Sequence, residues 1–588
     1  MRLSLWMPCL AVTLSLSACK GSGGDDEVGE GNDATGDGDG DASDSTVGDG
    51  DADSTGDGDS TGDADSTGDG DGVLVEPGDP GPADLSFEIR ADTERRPISP
   101  LIYGINGGDD LEGSQKGATL LRSGGNRMTA YNWETNASNA GSDYQHQNDN
   151  YLVANLPADQ QDDPGAAVRG LIEAALAHDA SALLTIPICG YVAADKDGGG
   201  DVNQTPNYLD VRFHPSIAFK GAPLDAAPNP DDDAVYQDEF VHWTTTNFPS
   251  AFESSIPRIL FSMDNEPDLW SSTHARIHPL PVGYQELVDE NVEFARAVKS
   301  VAPEAWVTGF VSYGYNGYVT LQGAPDQDGE FLSYFLAAMS EAETTWGMRL
   351  IDVLDLHWYP EAMGGGQRIT GEDVSPDSVE ARVQAPRSLW DPSYTETSWI
   401  ADYVGGPIAL LPWIQSRIDS NYPGTGIGFT EYNYGAAFHI SGAIAEADVL
   451  GIFGREGVAL ATFWPLAADN SMVYAAIRAF RSYDGADGHF GDTSIMAESS
   501  DVAQATVYAS IDEGNSSRMV IVAINKTTGP LNAAITMAAY ADYSSVEVYQ
   551  LTDAGATIDE VAPAPLTATN ALIYTMPALS VSVLVPVL

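Results

Sequence analysis

Two carboxylic side chains sit at matching places in the chain, each just past a short apolar run. Glu266 follows "RILFSM" (258–263) in "FSMDNEPDLW", and Glu431 follows "GIGFT" (426–430) in "FTEYNYG". Two carboxyls across a sugar-sized cleft are the machinery of glycoside hydrolysis. One stays protonated and donates to the leaving oxygen, while the other stays ionised and attacks the anomeric carbon. Burial and a neighbouring carboxylate raise one pKa relative to the other. Asn265, beside Glu266, is suited to bond a sugar 2-hydroxyl, so Glu266 reads as the acid/base. Glu431 reads as the nucleophile, with Tyr432 or Tyr434 to orient it.

Aromatic and amide side chains fall near the same run ends. Trp133, Trp270, Trp358, Tyr359 and Trp464 offer flat apolar faces for the CH faces of pyranoses, and Trp464 is the ring placed most firmly under a sugar. Asn126, Asn265, His357 and Tyr432 are candidates to read hydroxyls. Other chemistries lack their residues. Nine histidines show no HExxH spacing, no G-x-S-x-G elbow is present, and no GxGxxG opens a helix after a strand.

What must position this pair is a repeating element. Eight short apolar runs recur at 101–106, 118–122, 182–187, 258–263, 306–311, 351–357, 426–430 and 459–464. Helix-like stretches such as "AAVRGLIEAALAHD" and "YQELVDENVEFARAVKSV" lie between them. Buried strands alternating with amphipathic helices predict an α/β fold, a (β/α)8 barrel spanning 101–486. Glu266 then lies past the fourth strand and Glu431 past the seventh, across the C-terminal mouth where barrel active sites lie. From 487 to 588 alternating strands without helices predict a small antiparallel β-sandwich. A lone strand in 81–100, at Leu85–Ile89, is expected to join it.

Composition narrows the partners. Lys and Arg number 26 against 87 Asp and Glu, a net charge of −61. Such a surface repels nucleic acid, whose phosphates demand Lys and Arg, whereas a neutral polymer meets no barrier. The start "MRLSLWMPCLAVTLSLSAC" has a basic n-region and an apolar run too short to span a bilayer. Its ending resembles a bacterial lipobox. Residues 1–18 read as a leader and Cys19 as a lipidated first residue that anchors an exported protein to a membrane. Residues 19–80, rich in Gly and Asp and without Lys or Arg after Lys20, read as an extended spacer. Only Cys189 is left as a thiol, so no disulfide framework is expected.

Several long motifs together resemble glycoside hydrolase family 44. They are "RSGGNRMTAYNWETNASNAGSDYQHQNDNYL" (122–152), "GYVAADKDG" (190–198), "MDNEPDLW" (263–270), "DVLDLHWYPEA" (352–362), "TEYNYG" (430–435), "HISGAIAEADVLGIFGREGVALATFW" (439–464) and "GHFGDTS" (488–494). The likeness runs from about Ile102 to Lys526. It implies a TIM-like barrel with a β-sandwich built from both chain ends. It also implies retaining endo-action on β-1,4-glucans, including cellulose derivatives and xyloglucan, with Glu266 as acid/base and Glu431 as nucleophile. No cofactor is expected for catalysis. A structural calcium is considered at Asp195 and Asp197 of "DKDG", beside the alternative of a solvated loop. A monomer is expected. Rival readings are a non-catalytic carbohydrate-binding lipoprotein, and a xylanase or mannanase on the same scaffold.

Overall fold

The computed structural model describes residues 72–254, 256 and 258–588. Eight strands close into a barrel: Gly104–Asn106, Leu120–Ser123, Ser181–Ile186, Ile259–Met263, Val307–Ser312, Val353–Trp358, Gly426–Tyr432 and Leu460–Phe463. Every neighbouring pair around the ring is parallel. Each of the eight apolar runs supplies one strand. All five residues of Ile259–Met263 are buried, because one face fills the barrel and the other lies under helices. The helix Tyr284–Val301 covers this region with Leu287, Val288, Asn291, Phe294, Ala295 and Val298, which recur at helical spacing.

The seventh strand continues to Tyr432, so Glu431 lies within it rather than past its end. Its pairing with the sixth strand shifts between Leu356 and His357, and the shift brings His357 opposite Glu431. Irregularities of this kind re-aim side chains beside active sites.

Eight C-terminal strands, with Leu85–Arg90 and Arg96–Pro97 from the N-terminal side, form a ten-stranded sheet with a core of its own. Leu85–Arg90 sits inside that sheet, antiparallel to Thr493–Ser499 and parallel to Leu531–Ala538. The parallel pair is a departure from the antiparallel expectation, and it arises because the N-terminal strand is inserted between two strands of the C-terminal region. The strand Asn515–Asn525 shows how barrel and sandwich join. Val520, Val522 and Ile524 face the barrel's core while Met519, Ile521 and Ala523 face the sandwich core, the period of two that a strand imposes. Asp448, on the helix Ile440–Glu456, seals the junction. It pairs with Lys526 at 2.6 Å and accepts bonds from Thr506 and Tyr508 at 2.6 and 2.7 Å, all buried.

The segment read as spacer up to residue 80 is corrected at its C-terminal end. Val75 exchanges backbone bonds with Ala539, Gly78 donates to Thr569, and Glu76 pairs with Arg90. Leu74, Val75, Pro77 and Pro80 are partly buried along this stretch, whereas Val73 stays exposed. The leader, Cys19 and the acidic stretch through residue 71 lie outside the described residues. Among the described residues no helix is long and apolar enough to cross a membrane.

Candidate active site

The corner after the fourth strand is built by three consecutive side chains. Asp264, fully buried, accepts from the backbone N–H groups of Ile188, Cys189 and Asn265 at 2.7, 3.1 and 2.8 Å, and from Trp270 Nε1 at 3.4 Å. These bonds tie the corner to the loop after the third strand. Glu266 takes a left-handed conformation, φ 46° and ψ 56°. Pro267 disfavours the right-handed helical region for the residue before it, and the Glu266 N–H is anchored on the Val311 carbonyl at 2.9 Å. A non-glycine residue held there at a mouth position is strain of the kind active sites keep.

The Glu266 side chain is 16% exposed just past the fourth strand. Burial pushes it up to about 7; the Arg122 guanidinium pulls it down and Asp143 raises it further. Glu431 is held at both oxygens. Arg122 Nη1 donates to Oε1 at 2.7 Å and the Tyr359 hydroxyl donates to Oε2 at 2.8 Å. His357 stands between the two carboxyls, its Nδ1 3.0 Å from Glu266 Oε1 and 3.5 Å from Glu431 Oε2. One oxygen of each glutamate and His357 Nδ1 all lie within 4.8 Å of one another. Burial above all pushes the imidazole down to about 4, so it is neutral near pH 7.

Arg122 organises this group, and the sequence reading did not single it out. It lies within the second strand, is buried, and also donates to Asn106 at 3.1 Å and to Asn265 Oδ1 at 2.8 Å. Asn265 Oδ1 further accepts the Gly125 N–H at 3.2 Å. The amide is thereby fixed beside Glu266, where it was expected. Gly125 has φ 83°, and a Cβ there would lie 2.7 Å from the Trp464 ring, so glycine is what lets that ring lie over the loop. Trp464 is partly exposed at the end of the eighth strand.

Other proposed contacts are corrected. Trp133 is buried against Phe240 and Trp243, at ring distances of 5.6 and 6.4 Å. Trp270 turns inward onto His278 and Asp264. Trp358 is buried with its Nε1 donating to the Tyr434 hydroxyl at 3.2 Å. None of the three offers a face to a sugar, because each ring is buried among neighbouring side chains. Tyr432 points away from the cleft and donates to Glu446 at 2.7 Å. Tyr359, read as a sugar-contacting ring, is the residue that orients Glu431. The Asn126 amide NH2 donates to Asp143 at 2.9 Å.

The calcium candidates do not fit. Asp195 accepts two bonds from Arg212, at 2.6 and 2.8 Å, so a cation already occupies its lone pairs, and Asp197 is exposed. Among the described residues the group spaced to share a metal ion is Glu266, His357 and Glu431 themselves, and the Arg122 guanidinium beside Glu431 opposes a cation there.

Comparison with known proteins places the chain as a whole. The model of glycoside hydrolase family 44 matches residues 137–362. Endoglucanase A of Paenibacillus lautus is 40% identical over 511 residues, which cover 85% of this chain and 72% of that protein. A Paenibacillus polymyxa xyloglucanase of family 44, solved with xyloglucan, superposes with a TM-score of 0.81 at 39% identity, covering 86% of this chain and 99% of that one. The family 44 endoglucanase of Clostridium thermocellum gives 0.80 at 39% identity, over 85% and 99%. A closed parallel barrel, with these relatives along nearly its whole described length, leaves one assignment: the chain belongs to glycoside hydrolase family 44.

Proposed function

We propose that this glycoside hydrolase cuts internal β-1,4-glucosidic bonds of glucans, xyloglucan among them, with retention of configuration. Glu266 is the acid/base and Glu431 the nucleophile. The observation that carries this reading is the closeness of the pair, with an oxygen of each within 4.8 Å of the other. Retaining pairs stand about 5 to 5.5 Å apart, whereas inverting pairs need about 6.5 to 9.5 Å to admit a water. The relatives' descriptions as endoglucanase and xyloglucanase support the substrate class.

In the first step Glu266 donates its proton to the glycosidic oxygen as Glu431 attacks the anomeric carbon. The Glu431–glycosyl ester forms, the glycosidic bond breaks, and the shortened chain leaves as an alcohol. Arg122 and Tyr359 hold the attacking carboxylate in line, and Asn265 faces the sugar beside it. Glu266, now ionised, then takes a proton from water, which cleaves the ester and restores both carboxyls. No cofactor enters either step. Acylation of Cys19 with the acidic spacer would place this catalytic body, as a monomer, at a bacterial cell surface.

The test separates the two roles. Glu266→Ala should slow cleavage of unactivated glucan by about 10² to 10⁴-fold. It should spare the first step on aryl glycosides with good leaving groups, and azide should restore turnover. Glu431→Ala should lose both substrates. Equal losses without azide rescue would refute the assignment.

A further inference from the structure

Away from the catalytic pair, two exposed rings stand side by side on one short helix. Trp399 is 43% exposed and Tyr403 is 65% exposed, and both belong to the helix Trp399–Val404. Four residues apart, they share one helix face, displaced by about 6 Å along its axis. Exposed rings usually fold down onto the nearest apolar surface, but these two are propped from below. The Tyr315 ring, nearly buried, lies 6.2 Å from each and roughly perpendicular to both, at 72° and 75°. Trp413 backs Tyr315 at 5.7 Å, and the Arg417 guanidinium covers Trp413 at 4.4 Å while pairing with Glu330 at 3.1 Å. Ile400 and Ala401 bury the other side of the helix.

The position of this pair relates it to the cleft. Tyr315 opens the helix that follows the C-terminal end of the fifth strand, three residues after Ser312. Trp413 lies in the first turn of the helix Leu410–Asn421, which leads down to the seventh strand. Both therefore belong to the mouth end of the barrel. The Thr397 carbonyl, two residues before Trp399, accepts from the Met363 N–H at 2.8 Å, and Met363 is four residues beyond Tyr359, the partner of Glu431. The segment that carries the exposed rings is thus bonded to the loop that leaves the catalytic pair after the sixth strand.

From these observations we propose that Trp399 and Tyr403 form a distal platform for the part of a β-1,4-glucan chain that extends beyond the cleft. The inference rests on the glucan-hydrolase reading above. Rigid, flat aromatic faces suit the CH faces of a neutral pyranose chain. The neighbouring Glu330–Arg417 pair cancels its own charge, and a molecule of net charge −61 would repel an acidic polymer. Such a platform lengthens the bound stretch of polymer without touching the reacting bond, so it acts on polymer affinity alone.

The experiment uses the full chain and three variants: Tyr403→Ala, the double Trp399→Ala/Tyr403→Ala, and the double Trp399→Phe/Tyr403→Phe. Each is assayed on a soluble β-1,4-glucan polymer and on an aryl cellobioside, and its migration is followed in gels containing the polymer. The double alanine variant should raise KM for the polymer roughly tenfold at constant kcat, the loss of about 1.4 kcal/mol of binding. It should lose retardation in the gel and keep its kcat/KM on the aryl cellobioside. Tyr403→Ala alone should move part of the way, and the phenylalanine pair should recover most of the effect. An unchanged polymer KM, or equal losses on both substrates, would overturn the platform while leaving the active site in place. Unchanged handling of polymer would also redirect the patch to a protein partner. A wild-type protein that cleaves no β-1,4-glucan would overturn the functional reading first, and the platform with it.

Discussion

Glu266 must carry a proton when it meets the glycosidic oxygen, and its surroundings supply that proton near neutrality. Its pKa is raised to about 7, so the protonated fraction, and with it kcat/KM, falls as pH rises through 7. Asp143 is one of the charges that raise it. Asp143→Asn keeps an acceptor for Asn126 but removes the charge. The basic limb of the pH–rate profile should then move to lower pH by less than about one unit. A limb that stays put, or moves upward, would contradict this account of the acid. At this scale the sequence was legible where a residue type carries its own chemistry. Asn265-Glu266 announces an acid/base beside an amide, and Glu431 a second carboxylate. Arg122 was hidden at the end of an apolar run, although a charge inside a parallel strand demands a buried partner. Asp264 bonds mainly to backbone N–H groups, which leave no trace in residue types. Trp133, Trp270 and Trp358 misled because a large ring can turn to the core as easily as to the cleft, and residue type is the same in both cases.

Among the elements, the eight barrel strands were readable because strands buried on both faces are continuous apolar runs. The sandwich strands were readable by alternation. What could not be read was the seam between them, since it depends on which surface of the helix Ile440–Glu456 meets the sheet. That helix is buried from Ile440 to Gly454. Gly451 is where it approaches closest: a Cβ there would lie 2.2 Å from the Tyr508 ring, whose hydroxyl is held by Asp448. In an exposed helix, alanine would gain about 1 kcal/mol over glycine. Here we expect the clash to dominate, and Gly451→Ala to cost about 1 to 3 kcal/mol, read as a lowered Tm in calorimetry. A raised Tm would mean that barrel and sandwich are not packed rigidly at this helix.

For the whole molecule, catalysis and tethering should be separable. A chain starting at Gly72 keeps the contacts of Val75 and Gly78 with the sandwich and lacks Cys19 and the acidic repeats. It should retain full specific activity on soluble glucan, and Cys19→Ser in the full chain should shift the protein from the membrane fraction to the soluble one. Strongly reduced activity of the shortened chain would give the acidic segment a part in catalysis. The central claim, that Glu431 attacks directly and Glu266 serves twice, has one stereochemical consequence. Two successive inversions at the anomeric carbon return it to the β configuration. Proton NMR of a fresh glucan hydrolysate, recorded before mutarotation, should therefore show the β-anomer as the first product. The α-anomer appearing first would contradict the nucleophile and the double displacement together.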